Sequence, residues 1–189
     1  AADVTPDATA LICDAERVSY AGLREDCYRF AGGIIAAGLR PGGRVGVYLP
    51  KRTETVTALF GTSAAGGAFV PINPVLRSRQ VEHIIADCDV RYLVTSRARW
   101  ADLRHRLASV RPLERVVLVD GEAEAPEQTD EAALIDWSDL MNAAPVRGHR
   151  RIDADMAAIF YTSGSTGKPR GVVLSHRNII AGAESVASY

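Results

Sequence analysis

The residues whose types and spacing could do chemistry lie in one stretch, Tyr161-Thr162-Ser163-Gly164-Ser165-Thr166-Gly167-Lys168-Pro169-Arg170-Gly171. Gly164, Gly167 and Gly171 let backbone N–H groups turn toward an anion and allow it to approach closely. Thr162, Ser163, Ser165 and Thr166 add hydroxyl donors, and a hydroxyl oxygen can also ligate Mg²⁺. Lys168 and Arg170 neutralise charge, the arginine with a fork that matches phosphate oxygens. The composition therefore suits a phosphate. It is not a Walker A loop, which needs four residues between its glycines and a Ser or Thr after the Lys. Here only Ser165 and Thr166 lie between Gly164 and Gly167, and Pro169 follows Lys168. The competing reading is a Gly/Ser-rich hairpin loop without a ligand, since such clusters mark turns on composition alone.

The elements that must position this stretch flank it directly. Met156-Ala157-Ala158-Ile159-Phe160 is apolar and reads as a buried strand, and Val172-Val173-Leu174 reads as a second short strand. Ser175 is placed to cap a final helix that continues to the end of the chain. Upstream, residues 10–13 and 17–20 read as a hairpin around Asp14-Ala15-Glu16. Leu23, Cys27, Phe30, Ala31, Ile34 and Ile35 recur at steps of three and four, which predicts a helix ended by Gly38. Residues 44–49 read as a strand closed by Pro50. Residues 54–65 read as a helix with Val56, Leu59, Phe60 and Ser63 on its apolar face, stopped by Gly66 and Gly67.

Residues 68–70 form a short buried strand. A helix over 78–87, capped by Ser78, precedes a strand over 91–95. A helix over 98–109 carries Trp100, Leu103 and Leu107 as a core stripe, and 115–119 is a buried strand. The alternation predicts an α/β fold, a largely parallel sheet flanked by helices. The acidic residues 120–133 read as a solvated loop and 137–143 as a short helix. The basic run Arg147-Gly148-His149-Arg150-Arg151 reads as a solvated connection, because no aromatic residue interleaves it.

Composition narrows the classes. The 189 residues suit one domain, or one domain and a small part of another, and 47% hydrophobic content allows a sizeable core. A net charge of -1 gives no general attraction to nucleic acid or anionic lipid. No apolar run reaches transmembrane length, and no signal peptide is visible. Cys13, Cys27 and Cys88 are widely spaced and form no Cys-x-x-Cys pair, which reads as reduced, mostly buried thiols of a cytoplasmic protein. His83, His105, His149 and His176 lack metal-ligand spacing.

The stretch 161–171 resembles the phosphate-loop signature of the AMP-forming adenylating enzymes: acyl-CoA synthetases, luciferases and the adenylation domains of peptide synthetases. That signature runs aromatic residue, Thr-Ser-Gly, Ser or Thr, Thr-Gly, a variable residue, Pro, Lys and Gly. Every position matches except Arg170, which stands where Lys is usual and keeps the charge but not the geometry. Leu174-Ser175-His176-Arg177-Asn178 resembles the continuation. The block Ala64 to Pro74 resembles a second motif, an Ala-Gly-x-x-hydrophobic-Val-Pro step that reads as packing rather than chemistry. Val18 to Leu23 resembles an early core motif. Asn73-Pro74 is more similar to acyl-CoA synthetases than to peptide-synthetase adenylation domains, where Asp often precedes that Pro.

The resemblance implies that residues 1–189 are a single α/β region, the N-terminal part of the large domain of an AMP-forming acyl-CoA synthetase. It implies a two-step reaction in which Mg-ATP and a carboxylate give an acyl-adenylate, and a thiol of CoA or of a carrier protein then displaces AMP. Thr162, Ser163, Ser165 and Thr166 would donate to the β- and γ-phosphates, Gly164 and Gly167 would allow the approach, Arg170 would brace the phosphates, and Thr166 would face Mg²⁺. Lys168 occupies the variable position. The implied cofactors are ATP, Mg²⁺ and CoA, and the implied partners are a fatty or other organic acid and the missing C-terminal part of the same protein. This polypeptide alone is expected to have no adenylation activity. Three alternatives stay open: an amino-acid-activating adenylation domain of a peptide synthetase, a non-catalytic nucleotide- or phosphate-binding module that shares the loop, and a regulatory half that pairs with a separately encoded partner.

Overall fold

The computed structural model describes residues 1–108, 113–120, 132–146, 151–162 and 169–189. Strands β1 (Thr9–Cys13) and β2 (Glu16–Ser19) form an antiparallel hairpin, turned at Asp14 with φ of 53°. Helix α1 (Tyr20–Ala36) begins where the Ser19 hydroxyl accepts from the Gly22 N–H, and it ends before Gly38, whose φ of 103° a side chain would strain.

The chain then alternates through β3 (Arg44–Tyr48), α2 (Thr53–Ala64), β4 (Ala68–Pro71), α3 (Ser78–Asp87), β5 (Val90–Thr95), α4 (Arg97–Leu107) and β6 (Arg115–Leu118). It continues with β7 (Ala133–Asp136), α5 (Trp137–Met141), β8 (Met156–Thr162), β9 (Arg170–Ser175) and α6 (His176–Ala187). The main sheet runs β7-β6-β5-β3-β4-β8-β9, parallel throughout except for the antiparallel β8–β9 pair. The expected largely parallel α/β sheet is the architecture found.

Side chains alternate across the strands and fill two cores. One side joins Val70, Leu93, Val116, Leu118 and Ile159 to Val81, Ile84 and Ile85 of α3 and to Trp100, Leu103 and Leu107 of α4. The other joins Val45, Val47, Val94 and Val117 to Phe30 and Ile34 of α1, Ala58 of α2 and Leu140 of α5. The stripe read on α4 is thus core. No helix among the described residues is long and apolar enough to cross a membrane.

Four expectations change. First, α2 does not bury Val56, Leu59, Phe60 and Ser63. It buries Thr57, Ala58, Gly61 and Thr62, and Phe60 is 55% exposed. Small residues win because α1 and α2 cross closely: a Cβ at Gly61 would stand 2.6 Å from Phe30 Cδ1 and 3.0 Å from the Cys27 carbonyl oxygen. Gly61→Val is therefore expected to destabilise the fold by about 1–3 kcal/mol through overpacking, read from the denaturant midpoint. Second, Arg77 rather than Ser78 takes the cap position of α3, and its backbone N–H donates to Gln80 Oε1 at 3.0 Å. Third, the loop expected over 120–133 gives way at its end to β7, which extends the parallel ladder beside β6; residues 121–131 lie outside the described residues. Fourth, β8 is buried only from Ala157 to Ile159, with Phe160 exposed.

Of the cysteines only Cys27 is buried, while Cys13 and Cys88 are half-buried. Burial pushes the Cys27 thiol up to about 12, with Asp26 adding to it. The unfolded chain then loses this proton first as pH rises, so stability is expected to fall from about pH 9 upward by about 1.4 kcal/mol per unit until the folded thiol also titrates. Cys27→Ala is expected to remove that part of the alkaline slope in pH-dependent denaturation.

Candidate functional site

Every parallel strand of the main sheet ends on the same edge, at Tyr48, Pro71, Thr95, Leu118, Asp136 and Thr162. In open α/β sheets ligands bind beyond these carboxyl ends. Thr162 is the last residue of β8, and Arg170 is the first of β9 and its register partner. Their Cα atoms are therefore about 4.5–5.5 Å apart, as in any antiparallel pair. The residues between them, Ser163 to Lys168, lie outside the described residues, so Ser163, Gly164, Ser165, Thr166 and Gly167 receive no structural account. The β8–β9 pair has Thr162 and Arg170 at this same edge.

Thr162 and Arg170 are both exposed. Among the described residues the Arg170 side chain has neither a hydrogen bond nor an ion pair. Arg52 and Arg97, on the same edge, are already committed. Arg52 pairs with Glu54 at 2.6 Å and Asp120 at 2.9 Å, and the hydrogen bond to Glu54 pushes its guanidinium further up. Arg97 donates to the Asp120 carbonyl at 2.9 Å and pairs with Asp136. Among the described residues the Arg170 fork is thus unengaged, and a guanidinium suits phosphate oxygens. Among the described residues no cluster of three His, Cys, Asp or Glu could hold a metal. A hydroxyl oxygen such as that of Thr162 suits a hard cation such as Mg²⁺ as one ligand.

The sheet's topological switch lies elsewhere, between β5 and β3. Tyr48 fills it: its hydroxyl donates to the Leu76 carbonyl at 2.8 Å, and Arg99 sits 4.4 Å above its ring. The Thr95 hydroxyl closes the same seam by donating to the Tyr48 carbonyl at 3.0 Å. Next to it, the Asn73 side-chain oxygen accepts from the Val75 N–H at 3.1 Å. An aspartate would serve that turn as well, so Asn73 does the work of a turn.

Spacing alone did not reveal the groups gathered under the hairpin. The Tyr161 hydroxyl donates to Asp87 Oδ2 at 2.6 Å, and His83 Nε2 lies 3.4 Å from the Pro169 carbonyl oxygen. Burial first, and then the bond to Asp87, push the Tyr161 phenol well up, so it stays a donor. Burial likewise raises the neighbouring Cys88 thiol. The one available signal was the i, i+4 spacing of His83 and Asp87 on a helix.

Ser175 caps α6 as expected, accepting from the Asn178 N–H at 3.2 Å while Asn178 Oδ1 accepts from the Ser175 N–H at 3.0 Å. This fixes the direction in which the chain leaves β9.

The family model described as AMP-binding enzyme matches residues 1–189. Syringomycin synthase SyrB1 of Pseudomonas syringae pv. syringae is 33% identical over 176 residues, covering 92% of this chain and 25% of that protein. The crystal structure of the anthranilate CoA ligase AuaEII in complex with anthranoyl-AMP superposes with a TM-score of 0.86 at 23% identity, covering 96% of this chain and 34% of that one. A long-chain-fatty-acid-CoA ligase from Archaeoglobus fulgidus superposes with a TM-score of 0.84 at 26% identity, covering 98% and 37%. The chain therefore spans about a quarter of this curated relative and about a third of these solved chains.

Proposed function

The chain belongs to the AMP-binding enzyme family, and from that premise we propose that the protein of which it forms part uses ATP to adenylate a carboxylic acid and passes the acyl group to a thiol. In this reading residues 1–189 are one α/β region of the adenylating domain, and 161–171 are its phosphate loop. A carboxylate oxygen bonds to the α-phosphorus while the bond to the bridging oxygen breaks and pyrophosphate leaves. A thiolate sulfur then attacks the acyl carbon and expels AMP. The demand on the protein is to hold and neutralise the leaving pyrophosphate, which is positioning and electrostatics.

The hydroxyls of Thr162, Ser163, Ser165 and Thr166 donate to the β- and γ-phosphates, and Gly164 and Gly167 admit them. Arg170 braces the terminal charge. Mg²⁺ arriving with ATP would spread that charge, with the Thr166 hydroxyl among its ligands. The observation that supports this reading is that Thr162 and Arg170, which flank a glycine- and hydroxyl-rich stretch in the sequence, lie paired at the carboxyl edge of a parallel sheet.

For the acceptor we favour CoA and for the acid a fatty or other organic acid, on the strength of the likeness to the Archaeoglobus ligase. The 33% likeness to a syringomycin synthase favours a second reading, activation of an amino acid for a carrier-protein thiol.

Carboxylate-dependent ATP–pyrophosphate exchange on the full-length protein, screened over fatty, aromatic and amino acids, tests both. Exchange with one acid class, lost in Thr166→Ala, establishes adenylation and identifies the substrate. Added CoA should then yield the thioester. No exchange with any acid from folded protein would return the weight to a non-catalytic binding module.

A further inference from the structure

We propose that α3 is a two-point brace for the phosphate stretch: Asp87 holds the strand that enters it through the Tyr161 hydroxyl, and His83 holds the chain where it returns through the Pro169 carbonyl. His83 and Asp87 are positioning residues in this proposal, which rests on the adenylation reading above.

Four observations carry it. His83 and Asp87 are four residues apart on α3 and so share one face. Asp87 accepts from Tyr161 at 2.6 Å, and a phenol held well above its usual range remains a donor. His83 Nε2 faces the Pro169 carbonyl oxygen at 3.4 Å; a carbonyl only accepts, so the tautomer with hydrogen on Nε2 makes this a hydrogen bond. The His83 and Tyr161 rings also meet edge to face, 6.5 Å between centroids, which ties the two grips together.

Gly171 completes the arrangement. It is the register partner of Tyr161 on β9, and a Cβ there would lie 3.2 Å from Tyr161 Cζ, 3.3 Å from its hydroxyl oxygen and 3.0 Å from Ile159 Cγ2. The missing side chain leaves the Tyr161 ring its place. These contacts grip the residues immediately outside 162 and 170, at entry and exit, while the rest of α3 is held to the sheet by Val81, Ile84 and Ile85. Asp87 itself is exposed. Fold stability therefore gains little from its bond, whereas the backbone that must meet the phosphates is anchored to a helix already locked in the core.

The test uses the full-length protein with two readouts: ATP–pyrophosphate exchange kinetics, and hydrogen exchange of peptides covering 162–169 without nucleotide. Tyr161→Phe and Asp87→Ala are each expected to raise KM for ATP about threefold to tenfold with kcat nearly unchanged, and to speed exchange in those peptides by a similar factor. The double variant should be no worse than either single, because both remove the same bond. Asp87→Asn keeps an acceptor and should recover most of the loss. His83→Leu should behave like Asp87→Ala, and His83→Gln, which can still donate, should recover.

Unchanged KM and unchanged hydrogen exchange across the series overturn the brace. Exchange that speeds uniformly along the chain overturns it too, since that is general destabilisation. A native protein that exchanges no pyrophosphate with any acid overturns the adenylation reading, and the hydrogen-exchange readout still decides the brace.

Discussion

Phe30→Ala is expected to destabilise the fold by about 3–5 kcal/mol, a large share of what a domain of this size holds. Phe30 is fully buried, and its ring lies against Gly61 of α2 and, 5.5 Å between centroids, against Trp137 of α5. Truncation removes the buried ring and leaves a cavity at a helix crossing whose other wall is backbone. Backbone cannot swing in as a side chain could, so the site collapses poorly. Denaturant unfolding of the full-length protein checks this: the midpoint should drop with little change in slope. A loss under about 1 kcal/mol would mean that α1 and α2 close the gap and that the crossing is not the rigid contact described.

Arg170→Ala in the full-length protein is expected to lower kcat/KM for ATP in pyrophosphate exchange about 100-fold, the scale of removing one preorganised donor from a developing charge. The side chain is exposed and makes no described ion pair, so stability should stay within about 0.5 kcal/mol. Arg170→Lys keeps the charge and loses the fork, and should retain activity to within about tenfold. An alanine variant with near-native kcat/KM would remove Arg170 from the phosphates and leave it a surface cation.

The order of elements was legible because each helix and strand carries its own period and its own punctuation. Gly38, Gly66 and Ser175 each mark an end that the structure confirms. The face of α2 was not legible. Apolar periodicity ranks Phe60 above Gly61, but burial went to whichever residues allowed α1 to come close. β7 was hidden because four residues after an acidic run show no alternation, and only pairing with β6 makes them a strand. The hydroxyls and cations of 161–171 stand out in composition, and of the expected site the structure describes Thr162 and Arg170. The Asp87–Tyr161 bond was not, since it joins residues that only the folded sheet brings together.

The place of β8 in the sheet has a consequence for synthesis. β8 pairs with β4, through Phe69 and Ala158, although β5, β6 and β7 come between them in the chain and are laid down on the other side of β3. A nascent chain therefore emerges with the outer edge of β4 unpaired until Met156 has been made, on the order of ten seconds at ordinary elongation rates. During that interval Phe69 and Val70 offer an open ladder to any neighbouring strand. Closing so long a loop is also the slow kind of step. The β8–β9 hairpin is thus mounted late, and swift translation or a holding chaperone over this window should raise the yield of folded protein.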